Sequence, residues 1–343
     1  MVREGKRREE KKTEVRRKHQ KQLKSILSAL HVPNISEGNG YPLKDNGKQS
    51  SVSDQQIKHP RSRYDVVYPY NYKYLINEPE KCNRKPPFLV LMIATKPSEQ
   101  QARTVIRQTW GNETFIPNVT VVCIFFLGRL ASNMKSVQER IQNESRAHHD
   151  IIQRDFLDSY YNLTIKTMTA MEWVTEFCPQ ASYVMKIDSD IFLNIELLVN
   201  KVLKTNVPVR KKYFTGNFIQ AHRPNRNKKV KWYIPQEIYP ANVYPAYCAG
   251  GGYVFSGDIA EKIVNISYTV KPVYIEDIYV GMCLKKLRIK IKRNNLFRFR
   301  PVPHNICEYT KRITVHGFKP FKLLNLWKDF QQRKTFCSSD KTG

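Results

Sequence analysis

The sequence predicts an α/β fold built on a doubly wound sheet, and three observations lead there. Two continuous apolar runs, Phe88–Ala94 and Val119–Leu127, have the length and composition of strands buried on both faces. A helical periodicity over 162–177 separates them from a third apolar run, Tyr183–Ile187. That third run ends in Asp188-Ser189-Asp190, two carboxylates at the C-terminal end of a strand, where open α/β sheets bind ligands. Strand, helix, strand, helix, strand is the alternation of a parallel sheet covered by helices.

The elements can be justified in order. Residues 1–24 hold eleven Lys/Arg and four Glu with almost no apolar side chains, which describes a solvated charged segment. We divide the chain into a basic tail (1–30), a linker or stem rich in Pro, Gly, Ser, Asn and Tyr (31–85), a globular domain (86–337) and a short tail (338–343). After the strand Phe88–Ala94 a helix is expected from Ser98, with Arg103 and Arg107 four residues apart on one face. The segment between Gly128 and the helix over 162–177 reads as polar. Beyond Asp190 the pattern gives a helix over Ile195–Leu203 and a strand over Lys212–Gly216. An aromatic, proline-rich loop with Trp232, Tyr233 and Tyr239 follows, then Gly250-Gly251-Gly252 leading into a strand Tyr253–Ser256. A helix opens at Glu276-Asp277 and runs to about Leu287, and a short strand near 313–317 carries His316.

Composition narrows the function. A formal charge of +28, from 58 basic and 30 acidic residues, invites an anionic partner. No zinc-finger spacing, RNP-like motif or basic zipper accompanies it, so no specific nucleic acid is expected. The seven cysteines form no C-x-x-C pair, which argues against a zinc ribbon or thioredoxin-like site, and their odd number leaves at least one without an intrachain partner. Six N-x-S/T sequons, at Asn34, Asn112, Asn118, Asn143, Asn162 and Asn265, favour a chain exposed to the secretory lumen. No run approaches the roughly 18–20 apolar residues of a membrane span, and no signal peptide is visible.

Several residue types suit chemistry, each with a structural alternative. Asp188 and Asp190 could hold a divalent cation that itself holds a diphosphate, or could cap a local turn. Glu276 and Asp277 could complement a helix dipole, or one could act as general base. Arg103 and Arg107 suit a diphosphate but also an ordinary solvated face. The glycine triplet permits close backbone approach, though no G-K-[ST] follows it. Trp232, Tyr233 and Tyr239 could pack on the sheet edge or stack on a sugar.

Taken together, the motifs resemble one family. Arg103-x-x-Ile106-Arg107-x-Thr109-Trp110-Gly111, Phe126-Leu127-Gly128, the run from Asp150 to Thr167, Lys186-x-Asp188-Ser189-Asp190-Ile191-Phe192-x-Asn194, Tyr213–Gly216, Lys231-Trp232-Tyr233-x-Pro235, Gly252–Ser256 and Glu276–Gly281 are similar to the successive motifs of the β-1,3-galactosyltransferases. They cover residues 86–337 in that family's order. The glycine triplet departs from the family pattern, which more often has Ser or Thr between glycines.

The resemblance implies a type A glycosyltransferase fold, Rossmann-like and nucleotide-sugar-binding, with a mixed central sheet. It implies an inverting transfer of galactose from UDP-galactose to the 3-hydroxyl of a β-N-acetylglucosamine or related acceptor, with Mn²⁺. By match to the motifs, Asp190 and His316 would bind the metal, and Asp188 the metal or the ribose. Arg103, Arg107 and Lys166 would face UDP. Asp277 would be the catalytic base, with Glu276, Trp232, Tyr233, Gly251 and Gly252 on the acceptor side. Related enzymes use UDP-N-acetylglucosamine, so that donor is the alternative. A non-catalytic sugar-binding relative is a further one, opposed by the intact Asp188, Asp190, Asp277 and His316. Family members are usually Golgi type II membrane proteins. Because the basic run Met1–Lys24 stands where an anchor is expected, an incomplete N-terminus is anticipated, with membrane attachment only through a segment not present in this chain.

Overall fold

The computed structural model describes residues 62–131, 134–298, 302 and 305–341. The basic tail, the stem up to residue 61, Asn34 and the last two residues lie outside the described residues.

An eight-stranded mixed sheet carries the architecture, in agreement with the α/β class expected of a type A fold. Four strands form its parallel half: β2 (Leu89–Ala94), β3 (Val121–Arg129), β4 (Ile151–Leu157) and β5 (Tyr183–Asp188). A short strand β1 (Tyr74–Ile76) adds antiparallel to β4. On the other side β8 (Tyr247–Ser256) pairs antiparallel with both β5 and β7 (Phe214–Ile219), and β9 (Lys292–Arg293) closes the edge. The order is β1-β4-β3-β2-β5-β8-β7-β9. Two further strands, β6 (Ile191–Leu193) and β10 (Thr314–His316), make a separate antiparallel pair.

Strand β2 shows why a continuous apolar run was needed. Leu89, Leu91 and Ile93 enter one core layer, with Ile106, Trp110 and Trp327. Val90 and Met92 enter the opposite layer, with Met168, Met171 and Trp173. Successive side chains alternate faces, and both faces are covered, so no position of β2 can be polar.

Helix α1 (Gln100–Arg107) follows β2, and α2 (Lys135–His148) lies between β3 and β4. Helix α3 (Leu163–Phe177) occupies the predicted place, but it is buried on most of its circumference rather than along one stripe. A single helical turn, α4 (Ile195–Leu197), continues into π-helical geometry over Leu198–Leu203. Helices α5 (Asp258–Ser267) and α6 (Glu276–Lys286) follow β8, then α7 (Ile306–Thr310) and α8 (Pro320–Arg333).

Three differences from the sequence reading have physical causes. The segment read as polar holds α2 and β4; α2 contacts the core mainly through Val137 and Ile141, too sparse a stripe to stand out. Packing against the domain begins before Pro86. Tyr68 and Tyr72 are buried, Tyr68 donates to Glu172 Oε1 at 3.0 Å, and Cys82 forms a disulfide with Cys178. Tyrosines in extended chain give no periodicity to detect. Strand β8 is longer than expected because the glycine triplet lies inside it. A second disulfide joins Cys307 and Cys337, leaving Cys123, Cys248 and Cys283 as buried thiols.

Candidate active site

The site is built where β5 runs out. Asp188 is its last residue, opposite Ala94 of β2, and Ile187 faces Gly252 of β8. The chain turns through Ser189 and Asp190 into β6, whose Ile191 is paired with His316 of β10. This pairing brings His316 Nε2 to 3.1 Å from Asp190 Oδ2. Gly317, with φ of 105°, takes a backbone conformation suited to glycine, and the amides of Gly317 and Phe318 donate to the Asp190 carbonyl at 3.0 and 2.9 Å. Trp110 Nε1 donates to the Ile191 carbonyl at 2.9 Å, and Ser189 donates to Glu99 Oε2 at 3.2 Å. The turn is thus held from four sides.

Electrostatics divide the acids. Burial would raise the Asp190 carboxyl, but the hydrogen bond and charge of His316 outweigh it and hold it below the usual range. The same hydrogen bond raises the His316 imidazole. An oxygen and a nitrogen donor this close, with Asp188 two residues away, are the ligand types a divalent cation such as Mn²⁺ takes. Among the described residues no three His, Cys, Asp or Glu side chains are gathered into a ready metal cluster, because Asp188 points its Oδ1 at Lys186 instead.

Lys186 is the link that sequence reasoning missed. It lies in β5, two residues before Asp188 and therefore on the same face of the strand. Its buried ammonium stands 2.7 Å from Asp188 Oδ1 and 3.0 Å from Glu276 Oε1, and it also donates to the Gly250 carbonyl. Burial opposes its charge, yet Asp188 and Glu276 outweigh burial and hold its pKa above the usual lysine range. Its signals in the sequence were a cation inside an apolar strand and a place at the head of the Asp188 motif.

Glu276 and Asp277 open α6 directly beside β8. Glu276 accepts from Tyr253 Oη at 3.1 Å, and burial raises its carboxyl. Asp277 accepts from the Gly250 amide at 3.0 Å and from the Ile278 amide at 2.8 Å. Burial first, and the neighbouring Glu276 charge second, push Asp277 up to about 7. A Cβ on Gly250 would stand 2.6 Å from Glu276 Oε1, so only glycine lets this carboxylate reach Lys186.

Aromatic rings wall the Asp277 side. Tyr160, whose phenol burial and Asp277 push up to about 12, lies under Lys231, with Nζ 4.5 Å from the ring centroid. The Tyr247 phenol is raised by burial and by Asp277, and its hydroxyl lies 2.6 Å from His222 Nδ1. Tyr233 packs edge-on against Tyr64, and Trp232 is 54% exposed, free to meet a ligand face.

Some expected contacts land elsewhere. Arg103 is fully buried: it forks onto Glu144 at 2.9 and 2.7 Å and donates to the carbonyls of Lys96 and Pro97. Arg107 bridges Glu144 and Asp150, at 2.8 and 2.7 Å. Lys166 donates to the Thr95 carbonyl at 2.6 Å and pairs with Asp158. All three cations have protein partners, and Arg103 and Lys166 also hold the loop after β2 through its carbonyls. They face inward because the partner acids, Glu144 on α2 and Asp150 and Asp158 at the two ends of β4, needed neutralising on burial. Gly252 is likewise packed in the sheet, where a Cβ would meet Met185 and Thr314 at 3.3 Å, and Gly251 is buried beside it. Of the triplet, Gly250 reaches the site.

Known proteins resemble the chain along most of its length. The family model described as Galactosyltransferase matches residues 101–295, and one described as Beta-1,3-galactosyltransferase 2 N-terminus matches 15–90. Beta-1,3-galactosyltransferase 2 of Mus musculus is 47% identical over 295 residues, 85% of this chain and 68% of that protein. Beta-1,3-galactosyltransferase 1 of Mus musculus is 42% identical over 268 residues, 78% of this chain and 81% of its own. A solved structure of galactosyltransferase LgtC with donor and acceptor sugar analogs aligns at a TM-score of 0.36 and 12% identity, over 74% of this chain and 96% of that one, too distantly to add to the argument. The chain belongs to the galactosyltransferase family, among its β-1,3-galactosyltransferases.

Proposed function

We propose that this enzyme transfers galactose from UDP-galactose to the 3-hydroxyl of a β-N-acetylglucosamine or related acceptor, with inversion and with Mn²⁺. The observation that carries the reading is Asp277. Its carboxyl titrates near 7, is held by the Gly250 and Ile278 amides, and is joined to the Asp188 turn through Glu276 and Lys186. A carboxylate with that pKa is a competent base at neutral pH.

Asp277 takes the proton from the acceptor hydroxyl as that oxygen forms its bond to the anomeric carbon. The bond from that carbon to the UDP oxygen breaks on the opposite face, and the electron pair leaves with UDP. Asp190 and His316 would hold Mn²⁺, with Asp188 at the metal or the ribose. Bound there, the cation supplies charge stabilisation to the departing diphosphate. Trp232 and Tyr233 offer faces to the acceptor sugar, and Glu276 keeps Lys186 in place between the two halves of the site. No second acid is required, because a diphosphate is already a weak base. Exposed sequons at Asn112, Asn118, Asn143 and Asn265, and two disulfides, support a place in the Golgi lumen. No described helix is long and apolar enough to cross a membrane.

A donor screen of UDP-galactose against UDP-N-acetylglucosamine, with and without chelator, tests the reading. Galactose transfer to a β-N-acetylglucosamine acceptor that stops with EDTA and returns with Mn²⁺ is the expected result. Transfer from neither donor, or transfer indifferent to chelator, overturns it.

A further inference from the structure

The site described above leaves most of the chain's positive charge unexplained. Residues 197–307 contain twenty Lys/Arg against five Asp/Glu, and two of those five are Glu276 and Asp277 themselves. Six of these twenty cations lie on two segments that the Arg293–Gln220 hydrogen bond joins. Arg223, Lys228 and Lys229 lie exposed on the loop after β7, and Lys290, Lys292 and Arg293 lie exposed at the β9 edge. None of these six forms an ion pair among the described residues. Unpaired cations of one sign repel one another, so holding them on joined segments is a cost unless an anion visits this rim.

The rim connects to the Asp277 side of the site. Arg293 stacks over Phe218, 4.6 Å from its centroid, and donates to Gln220 Oε1 at 2.8 Å. Two residues on, His222 meets the Tyr247 hydroxyl, and Tyr247 borders Asp277. The loop returns through Lys231 to Tyr160, also beside Asp277. The rim is remote from the donor diphosphate. Strand β9 is three strand spacings from β5, or about 14 Å. The links through Tyr247 and Tyr160 run from the rim to the Asp277 side.

We propose that this cationic rim receives the anionic part of the acceptor: a saccharide chain carrying sulfate or carboxylate groups on units beyond the sugar that is galactosylated. The inference rests on the transferase reading and adds the acceptor's charge to it. A glycan is favoured over a lipid surface because the cations run, through Arg293, Gln220, His222 and Tyr247, into the wall of the acceptor side. Exposed Trp232, next to Lys231, adds the stacking face that sugar rings use.

The test uses the full chain and two β-N-acetylglucosamine-terminated trisaccharides, one neutral and one sulfated on the second sugar. At low salt the sulfated acceptor should show a kcat/KM roughly tenfold higher, and the advantage should fade as salt shortens the screening length. The variant Lys228→Ser/Lys229→Ser/Lys290→Ser/Lys292→Ser should lose that advantage, with kcat/KM on the neutral acceptor and KM for UDP-galactose unchanged. Parity between acceptors in the wild type, an equal loss on both in the variant, or a rise in donor KM alone overturns the proposal. So does salt-sensitive retention on phosphatidylserine vesicles or duplex DNA without any preference for the sulfated acceptor. If neither acceptor is galactosylated, the transferase reading fails. Calorimetric titration of the two trisaccharides then decides the rim separately, tighter binding of the sulfated one supporting it and equal binding sinking it.

Discussion

Lys186 Nζ lies 3.0 Å from Glu276 Oε1, joining the strand that ends in Asp188 to the helix that begins with Asp277. The two residues come from β5 and α6, with β8 between them. Their ion pair fixes the distance between the metal-side acids and the proposed base. Lys186→Met leaves Glu276 buried without its cation, which for a pair this enclosed costs about 3–5 kcal/mol. Chemical denaturation should read that loss. Because Lys186 also holds the Asp277 carboxyl down, the acid limb of the activity profile should move to higher pH in any Lys186→Met protein that folds. An unmoved limb would leave Lys186 with a purely structural role.

Asp277 sets the pH dependence. With its carboxyl near 7, activity should rise as pH passes through that value, since the base must be ionised. The sign for stability is opposite. Its folded pKa lies above the unfolded value, so the stability it contributes is complete below about pH 4 and is lost as pH rises through about 7. Asp277→Asn should therefore abolish transfer, retain UDP–Mn²⁺ binding, and unfold at higher denaturant than wild type at pH 8. The gain is at most roughly 4 kcal/mol, what a three-unit shift amounts to. Near-normal turnover in Asp277→Asn would move the base elsewhere, first to Glu276.

Asp190 and His316 should act together on the metal. Asp190→Asn and His316→Ala should each weaken Mn²⁺ binding, read by paramagnetic relaxation of water protons, on the order of tenfold or more. Excess Mn²⁺ should restore part of the activity in each. Unchanged affinity in both variants would remove the metal from this turn.

Arg103 belongs to the frame. Arg103→Met removes the two-point partner of Glu144 and leaves it Arg107 alone, so a loss of about 3 kcal/mol, the low end for a broken buried pair, is expected in denaturation. The Michaelis constant for UDP-galactose should stay within about twofold, a change below 0.5 kcal/mol. A large rise in that constant, with stability intact, would return Arg103 to the donor pocket.

Occupancy of the sequons should follow exposure. Asn162 Nδ2 already donates to the Leu157 carbonyl at 2.8 Å in a half-buried turn, whereas Asn112, Asn118, Asn143 and Asn265 are exposed. Peptide mapping of protein secreted from a glycosylating host should find sugar among those four and none at Asn162. Full occupancy of Asn162 would contradict the turn seen here.

The sequence by itself determined the alternation of β2, β3, α3 and β5, because each strand buried on both faces must be apolar throughout. It also placed Asp188 and Asp190 at a strand end, and the ordered motifs identified the family. Only the tertiary structure decided what the charged side chains do. Arg103 and Arg107 could pass for solvent-facing cations in a linear reading, yet they pair with Glu144 and Asp150, 41 and 43 residues away, while Lys166 pairs with Asp158 only eight residues before it. Lys186 stood in a motif without a role, though it ties Asp188 to Glu276. His316 reached Asp190 only through the pairing of β10 with β6. Apolar burial leaves a periodic trace along the chain; an ion pair between distant segments leaves none, since its strength depends on a distance that folding alone sets.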